Sequence, residues 1–293
     1  MAWRGMEVYN GVDPNDAFNW GITIVKLRDR ALIDQFAPTL QSHPYAKVVT
    51  RPQPDCDWNM GNITAEANRW YDKLNALGVA SKWWGHIPIN EPNNVDCGTT
   101  ADAFQTFMRD LTSGIDWWYG QTHIRVPWTT PPFAVIEPSE NAYVTALINS
   151  GALSARYSDG SGPIWRYIGA HNYWNCCADM LTRYGVFVDR YVQRMARPYG
   201  KQILVDEVNS NAACAVDFPI PYGGYGDPNR LTDLLRFMGQ IDANLGAEVL
   251  MNIVFVHTND TVGCRGSGWR QFDYTPSQWN TIASGAAYPF SCP

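Results

Sequence analysis

Short β-branched runs alternate with longer amphipathic stretches along the whole 293-residue chain, and this alternation narrows the possible folds more than any other feature. Eight runs read as strands: 6–12 (MEVYNGV), 22–27 (ITIVKL), 46–52 (AKVVTRP), 82–90 (KWWGHIPIN), 123–128 (HIRVPW), 165–173 (WRYIGAHNY), 202–208 (QILVDEV) and 249–257 (VLMNIVFVH). Between them, apolar residues recurring at helical spacing predict helices over 30–43, 64–78, 100–120, 141–151, 180–200, 229–246 and 275–285. Pro38 falls inside the first of these and should kink or break it. Thr64 opens the second as a capping residue. Only NDAFNWG separates the first two strands, which leaves room for a turn or two of helix.

Strands that alternate with helices pair in parallel, because a parallel connection needs a crossover long enough to hold a helix. Eight such repeats predict an α/β protein, a single (β/α)8 TIM barrel spanning 1–293. An open doubly wound sheet is the alternative, but no Gly-rich phosphate loop follows the first strand. In a closed barrel the chemistry sits at the C-terminal ends of the strands, so the polar residues found there are the candidates.

The fourth strand runs into Asn90-Glu91-Pro92 and the seventh into Asp206-Glu207. Alternation puts Glu91 on one face with Ile87 and Ile89, and Glu207 with Ile203 and Val205. If that face is the barrel interior, two carboxylates converge across one pocket, as glycoside hydrolysis requires. Strand six adds His171 and Tyr173, two apart and on one face. A phenol donating to Glu207 would lower its pKa. Each residue also has a bland reading: a solvated rim carboxylate, a satisfied core histidine, a packing tyrosine.

With INEP on strand four and VDE on strand seven, the chain resembles the retaining glycoside hydrolases of clan A, and within them family 39-like or family 5-like bacterial polysaccharide hydrolases. The resemblance implies that Glu91 is the general acid/base, that Asn90 contacts the sugar 2-hydroxyl and that Glu207 is the nucleophile. It further implies that Tyr173 hydrogen-bonds the nucleophile, that His171 lines the sugar site and that a cation stands beside Glu207. Many clan members carry that cation on strand two, where Lys26 and Arg28 compete for the role, whereas Arg51 ends strand three. Many also end strand eight with a Trp beneath the sugar, where this chain has His257 and Asn259. Trp174, Trp128, Trp58 and Trp269 are the candidates to replace that Trp.

In the implied reaction Glu207 is ionised and Glu91, facing an already charged partner, holds its proton longer. The expected outcome is cleavage of β-glycosidic bonds in a polysaccharide or oligosaccharide by double displacement, acting within the chain. Neither cofactor nor metal is expected. His86, His171 and His257 are the histidines a metal-dependent barrel hydrolase would use, but no three ligands have recognisable spacing. A carbohydrate-binding barrel without catalysis is the remaining alternative.

Net charge is −6, and no run of Lys and Arg exists to neutralise phosphates, which excludes a nucleic-acid partner. No apolar stretch reaches the roughly 18 to 20 residues that span a bilayer. The 13 Trp fit either a large aromatic core or a sugar-stacking cleft. The seven Cys form no zinc pattern and lie in polar connections, so two or three disulfides with one thiol left over are expected. Cys56–Cys97 is the first expected pair. An extracellular, monomeric domain with its leader removed fits these features.

Overall fold

The computed structural model describes residues 2–8, 13, 15–52, 58–94, 97–135, 138–174, 176–210, 225–257 and 273–292. Its centre is a parallel sheet of β1 (Trp3–Val8), β2 (Ile24–Leu27), β3 (Lys47–Thr50), β4 (Trp83–His86), β5 (Tyr167–Trp174), β6 (Gln202–Ser210) and β7 (Val249–His257). The strand order is β4-β3-β2-β1-β7-β6-β5, so β1 lies in the middle with β7 beside it. The sheet curls: a Cβ added to Gly85 on edge strand β4 would lie 2.9 Å from Leu204 Cδ1 on β6, at the other side of the sheet. A glycine leaves room for that approach, which a Cβ would allow only if the Leu204 side chain shifted.

The expected strand at 123–128 does not form. His123 ends a helix in the left-handed region, and Pro127 and the Pro131-Pro132 pair deprive this stretch of ladder donors. Instead, single parallel bridges join Trp128 to His86 of β4 and Thr129 to Tyr167 of β5. This segment therefore bonds to both edge strands of the sheet. Gly169 on β5 packs hard against it, since a Cβ there would fall 2.3 Å from the Thr130 carbonyl oxygen. The fourth strand is shorter than expected, ending at His86 rather than Asn90, although Ile87 N–H still donates to Thr50 O at 2.9 Å.

The helices are α1 (Asp16–Asn19), α2 (Ala31–Ser42), α3 (Met60–Ala76), α4 (Ala101–Thr122), α5 (Ser139–Asn149), α6 (Cys177–Phe187), α7 (Arg197–Tyr199), α8 (Pro228–Asn244) and α9 (Pro276–Ala283). A nine-residue π-helical stretch, Val188–Ala196, connects α6 to α7. Pro38 does not break α2, which runs on to Ser42. The cap of α3 is Asn59, whose side chain accepts from Asn62 N–H, while Thr64 bonds back to Met60 O. Four residues of α1 are all that the short first connection holds, as its length predicts.

Two apolar layers hold the sheet. On the outer face, Val25, Val48, Ile168, Ile203, Val205 and Val254 pack against helix residues such as Phe36, Trp70, Phe187 and Trp279. On the concave face, a smaller cluster joins Ile24, Val49, Ile87, Tyr167, Leu204, Met251 and Ile253. Full burial of each such side chain contributes about 1.5–3 kcal/mol. The inner cluster fills the lower part of the concave face and leaves the C-terminal end of the strands to polar side chains.

A disulfide joins Cys177, at the start of α6, to Cys292 near the C-terminus. Cys97 is also disulfide-bonded and Cys176 is a free, exposed thiol. The expected pairing with Cys56 lies outside the described residues. Among the described residues no helix is long and apolar enough to cross a membrane.

Candidate active site

Strand alternation continues the inner cluster upward into charge. Two residues beyond Gly5, Ile24, Val49 and Gly169 on the same face stand Glu7, Lys26, Arg51 and His171. All four are at most 1 % exposed. Charges so deeply buried persist only when paired, and these are. Lys26 Nζ lies 3.1 Å from Glu7, 3.0 Å from Asp206 and 2.9 Å from Glu207.

β6 departs from alternation at this level. Ile203 and Val205 pack on the outer face and Leu204 on the inner one. Unbroken alternation would therefore send Glu207 outward, among the helices. Instead the pairing with β5 jumps from Ala170↔Val205 to His171↔Glu207, so that Asp206 is an extra residue. Asp206 already faces the concave side with Leu204, and the bulge brings Glu207 there as well. The expectation that Glu207 shares a face with Ile203 and Val205 is thus overturned.

Glu91 arrives by another route. Ile87 belongs to the inner cluster and Ile89 to the outer one, so those two do not share a face as expected. Glu91 itself has φ 42°, in the left-handed region rarely used by a non-glycine residue. Its N–H donates to Pro132 O at 3.1 Å, and its carbonyl accepts from Asn94 N–H at 2.8 Å. Strained backbone held on both sides in this way is common where a side chain must be aimed.

The carboxylates of Glu91 and Glu207 converge on His171. Its Nδ1 is 2.8 Å from Glu91 Oε1, and its Nε2 is 3.2 Å from Asp206 Oδ2 and 3.8 Å from Glu207 Oε1. One ligating atom from each of Glu91, His171 and Glu207 lies within 4.8 Å of the others. Glu207 Oε1 also accepts from Lys26 Nζ at 2.9 Å, Arg51 Nη1 at 3.0 Å and Arg28 Nη2 at 3.1 Å. Tyr173 OH donates to Glu207 Oε2 at 2.5 Å. All three candidate cations, from strand two and from the end of strand three, thus reach the same oxygen.

Burial alone would raise the Glu207 pKa. His171, Lys26, Arg51 and Arg28 together outweigh it and hold the carboxyl well below its usual range. Asp206 is lowered too, with Lys26 and His171 overcoming the same desolvation. For His171, burial opposes the charge, but Glu207 and Asp206 raise its pKa to about 10. Burial and the neighbouring Glu207 push Tyr173 well above 10, so its hydroxyl stays a donor.

Glu91, His171 and Glu207 are the one group among the described residues whose spacing would suit a metal ion. The donor set does not fit one, because Glu207 Oε1 is already occupied by an ammonium and two guanidinium groups. His86 is not part of the group. Its Nδ1 hydrogen-bonds Thr50 Oγ1 at 2.7 Å, and burial lowers its pKa to about 3.

Asn90, Arg51, His171 and Tyr173 lie at or beside the two glutamates, and the Asn90 side-chain oxygen is buried without a partner among the described residues. The two tryptophans do not join them. Trp174 alternates to the outer face, where its ring packs 4.9 Å from Phe237. Trp128 is fully buried between His86, Trp118 and Trp165. Trp58 packs against Phe104 and Phe107. The His257 backbone pairs with Val8, while its side chain, Asn259 and Trp269 lie outside the described residues.

Three site residues escaped the sequence reading. Glu7 was hidden because its strand begins earlier than the apolar run suggests. Asp206 was hidden because the sequence reading turned Ile203 and Val205 inward, whereas Leu204, whose parity Asp206 shares, is the inner residue. Phe255 reaches the site from β7, 6.1 Å from the Tyr173 ring and 6.0 Å beneath the Arg28 guanidinium. Its inward parity with Met251 and Ile253 was the available clue.

No protein-family profile and no curated protein matches the sequence. Solved structures do. An endo-β-1,4-mannanase from Cellulomonas fimi is similar with TM-score 0.60 at 11% identity, over 99% of this chain and 71% of that one. A β-mannanase from Thermomonospora fusca gives 0.56 at 12% identity over 99% and 94%. A family GH128 endo-β-1,3-glucanase from Lentinula edodes gives 0.52 at 11% identity over 94% and 98%. The likeness is one of fold. The chain has a TIM-barrel-like fold, and its candidate site lies at the C-terminal end of the strands.

Proposed function

We propose that the chain is a retaining glycoside hydrolase of the clan A kind, cleaving β-linked polysaccharide. On this reading the 126–132 segment is the remaining stave of a closed (β/α)8 barrel, since it bonds both sheet edges. The reading rests chiefly on the convergence of Glu91 and Glu207, with oxygens within 4.8 Å. Retaining enzymes hold their carboxyl groups about 5–5.5 Å apart, whereas inverting ones leave about 6.5–9.5 Å for a water.

Glu207 is the nucleophile. Its Oε1 is saturated by Lys26, Arg28 and Arg51, so Oε2, bonded among the described residues by Tyr173 alone, attacks the anomeric carbon. Glu91 is the acid/base. Its side chain is 21% exposed against 6% for Glu207, as suits the group that must reach the leaving oxygen and then water. Glu91 first protonates the glycosidic oxygen as the Glu207 ester forms. It then takes a proton from water, which displaces Glu207 with net retention. Asn90 accepts the sugar 2-hydroxyl on its unpartnered oxygen. The fold likeness to mannanases and β-1,3-glucanases makes β-mannan and β-1,3-glucan the first substrates, with endo action expected. Two disulfide-bonded sites fit an oxidising, extracellular setting.

Incubation with β-mannan, laminarin and their aryl β-glycosides, with product anomers followed by proton NMR, tests this. β-Anomers released first by the native chain, and no product from Glu91→Gln or Glu207→Gln, are expected. Full activity in either variant overturns the assignment. Binding without product over days would favour a carbohydrate-binding barrel.

A further inference from the structure

The mechanism above leaves Asp206 without a role, although it is fully buried on the concave side and is the extra residue at the bulge that turns Glu207 inward. Its Oδ2 is shared between His171 Nε2 at 3.2 Å and Lys26 Nζ at 3.0 Å. On the other side of the same imidazole, Nδ1 meets Glu91 Oε1 at 2.8 Å. Both ring nitrogens thus face carboxylate oxygens, an arrangement that an imidazolium satisfies by donating twice.

We infer that Asp206 is a positioning residue that holds His171 as a doubly donating imidazolium, and through it prepares Glu91 for the second half of the reaction. The inference rests on the glycosidase reading of Glu91 and Glu207. His171 has two anionic neighbours on β6, and they have different fates. When Glu207 becomes a glycosyl ester it loses its charge, and with it part of the attraction that kept the imidazole protonated. Asp206 makes no bond to the sugar and keeps its charge. In the ester, His171 therefore still donates Nδ1–H to Glu91 Oε1 and stabilises Glu91 as the carboxylate that deprotonates water. Glu91 Oε2, approached among the described residues only by Asn94 Nδ2 at 3.5 Å, is the oxygen that carries the catalytic proton.

The groups bearing on His171 come from every side. Glu91 beyond β4 and Asp206 and Glu207 on β6 face it directly, and the Tyr173 ring of β5 lies edge-on to it. Lys26 and Arg28 from β2, Arg51 beyond β3 and Glu7 on β1 stand behind those carboxylates, paired with Glu207 or with one another. Lys26, Arg28 and Arg51 pair with Glu207 and Glu7, and Lys26 also with Asp206, which is the anion in direct contact with Nε2.

Two measurements test the inference. In the native chain, long-range nitrogen-15 NMR should show His171 protonated at both ring nitrogens at pH 8, where an ordinary histidine is neutral. In Asp206→Asn, which preserves shape, the phenol burst from 2,4-dinitrophenyl β-mannobioside or β-laminaribioside should keep its amplitude. Steady-state turnover should slow about ten-fold or more, with the alkaline limb of kcat moving down by about one to three pH units. A singly protonated His171 at pH 8, or an Asp206→Asn variant with native steady-state rate and alkaline limb, overturns it. Absence of a burst and of turnover in the native chain overturns the glycosidase reading instead, and the NMR result still decides the state of His171.

Discussion

Two buried glutamates in this protein are built from the same parts. Glu140, in the first turn of α5, accepts from Arg183 Nη2 at 2.9 and 3.3 Å, Arg190 Nη1 at 2.9 Å and Tyr191 OH at 3.0 Å. Glu207 likewise has arginines, a tyrosine and nearly complete burial. The difference lies in what surrounds them. Both Glu140 oxygens are saturated by the helix and π-helical stretch packed against α5, and the group ties those elements together. Glu207 sits where the strands end, with one oxygen saturated and the other held by a single phenol, facing a second carboxylate. Arginine, glutamate and tyrosine in contact therefore say little about chemistry. An incompletely satisfied oxygen opposite a second acid says much more.

The contrast is sharpest in activity. Glu91→Gln and Glu207→Gln should each lower kcat on β-mannan or laminarin by at least about 10^3-fold while circular dichroism reports a folded chain. Glu140→Gln should do the reverse, costing about 3–5 kcal/mol in urea unfolding, the scale for breaking a buried ion pair, with kcat unchanged. A Glu140 variant that lost activity without losing stability would erase the distinction.

Tyr173→Phe is expected to fall between these, lowering kcat about 10- to 100-fold by removing one donor from the attacking oxygen. The pH dependence of stability should show both signs. Glu207 has a lowered pKa, so its contribution is complete above the ordinary 4.5 and is lost only as pH falls through the lowered value. His171 has a raised pKa, so its contribution is complete below 6.5 and is lost as pH rises towards about 10. Thermal melts should therefore decline on the alkaline side as pH 10 is approached, and His171→Gln should flatten that decline. Trp174→Phe should have the smallest effect, about 1 kcal/mol of stability and no change in KM, because its ring packs among helices rather than beside sugar.

Much of the candidate site was legible because the polar residues at strand ends are the candidates in this architecture. Asn90, Glu91, His171, Tyr173 and Glu207 could all be named from position and residue type. The reasons attached to the two glutamates were less secure. Alternation from Ile203 and Val205 leads to the wrong face, and Glu207 points inward only because Asp206 is an extra residue. Glu91 follows no strand at all and is aimed by a positive φ. Period-two reasoning has no means of anticipating either event. Trp174 is a different failure, since alternation from Tyr173 already places it on the opposite face. The fold was legible as strand–helix alternation, but residues 123–128 look like a strand until Pro127 and the two prolines beyond it are weighed.

The convergence of Lys26, Arg28 and Arg51 on one oxygen has a consequence for chemical rescue. Truncation of Glu207 to glycine would leave three cations around a space the size of a carboxylate. Such a space is an anion receptor by charge and by shape, and formate added to Glu207→Gly would be drawn into it at the position of the missing group. The cations that keep Glu207 ionised would then serve to recruit its replacement.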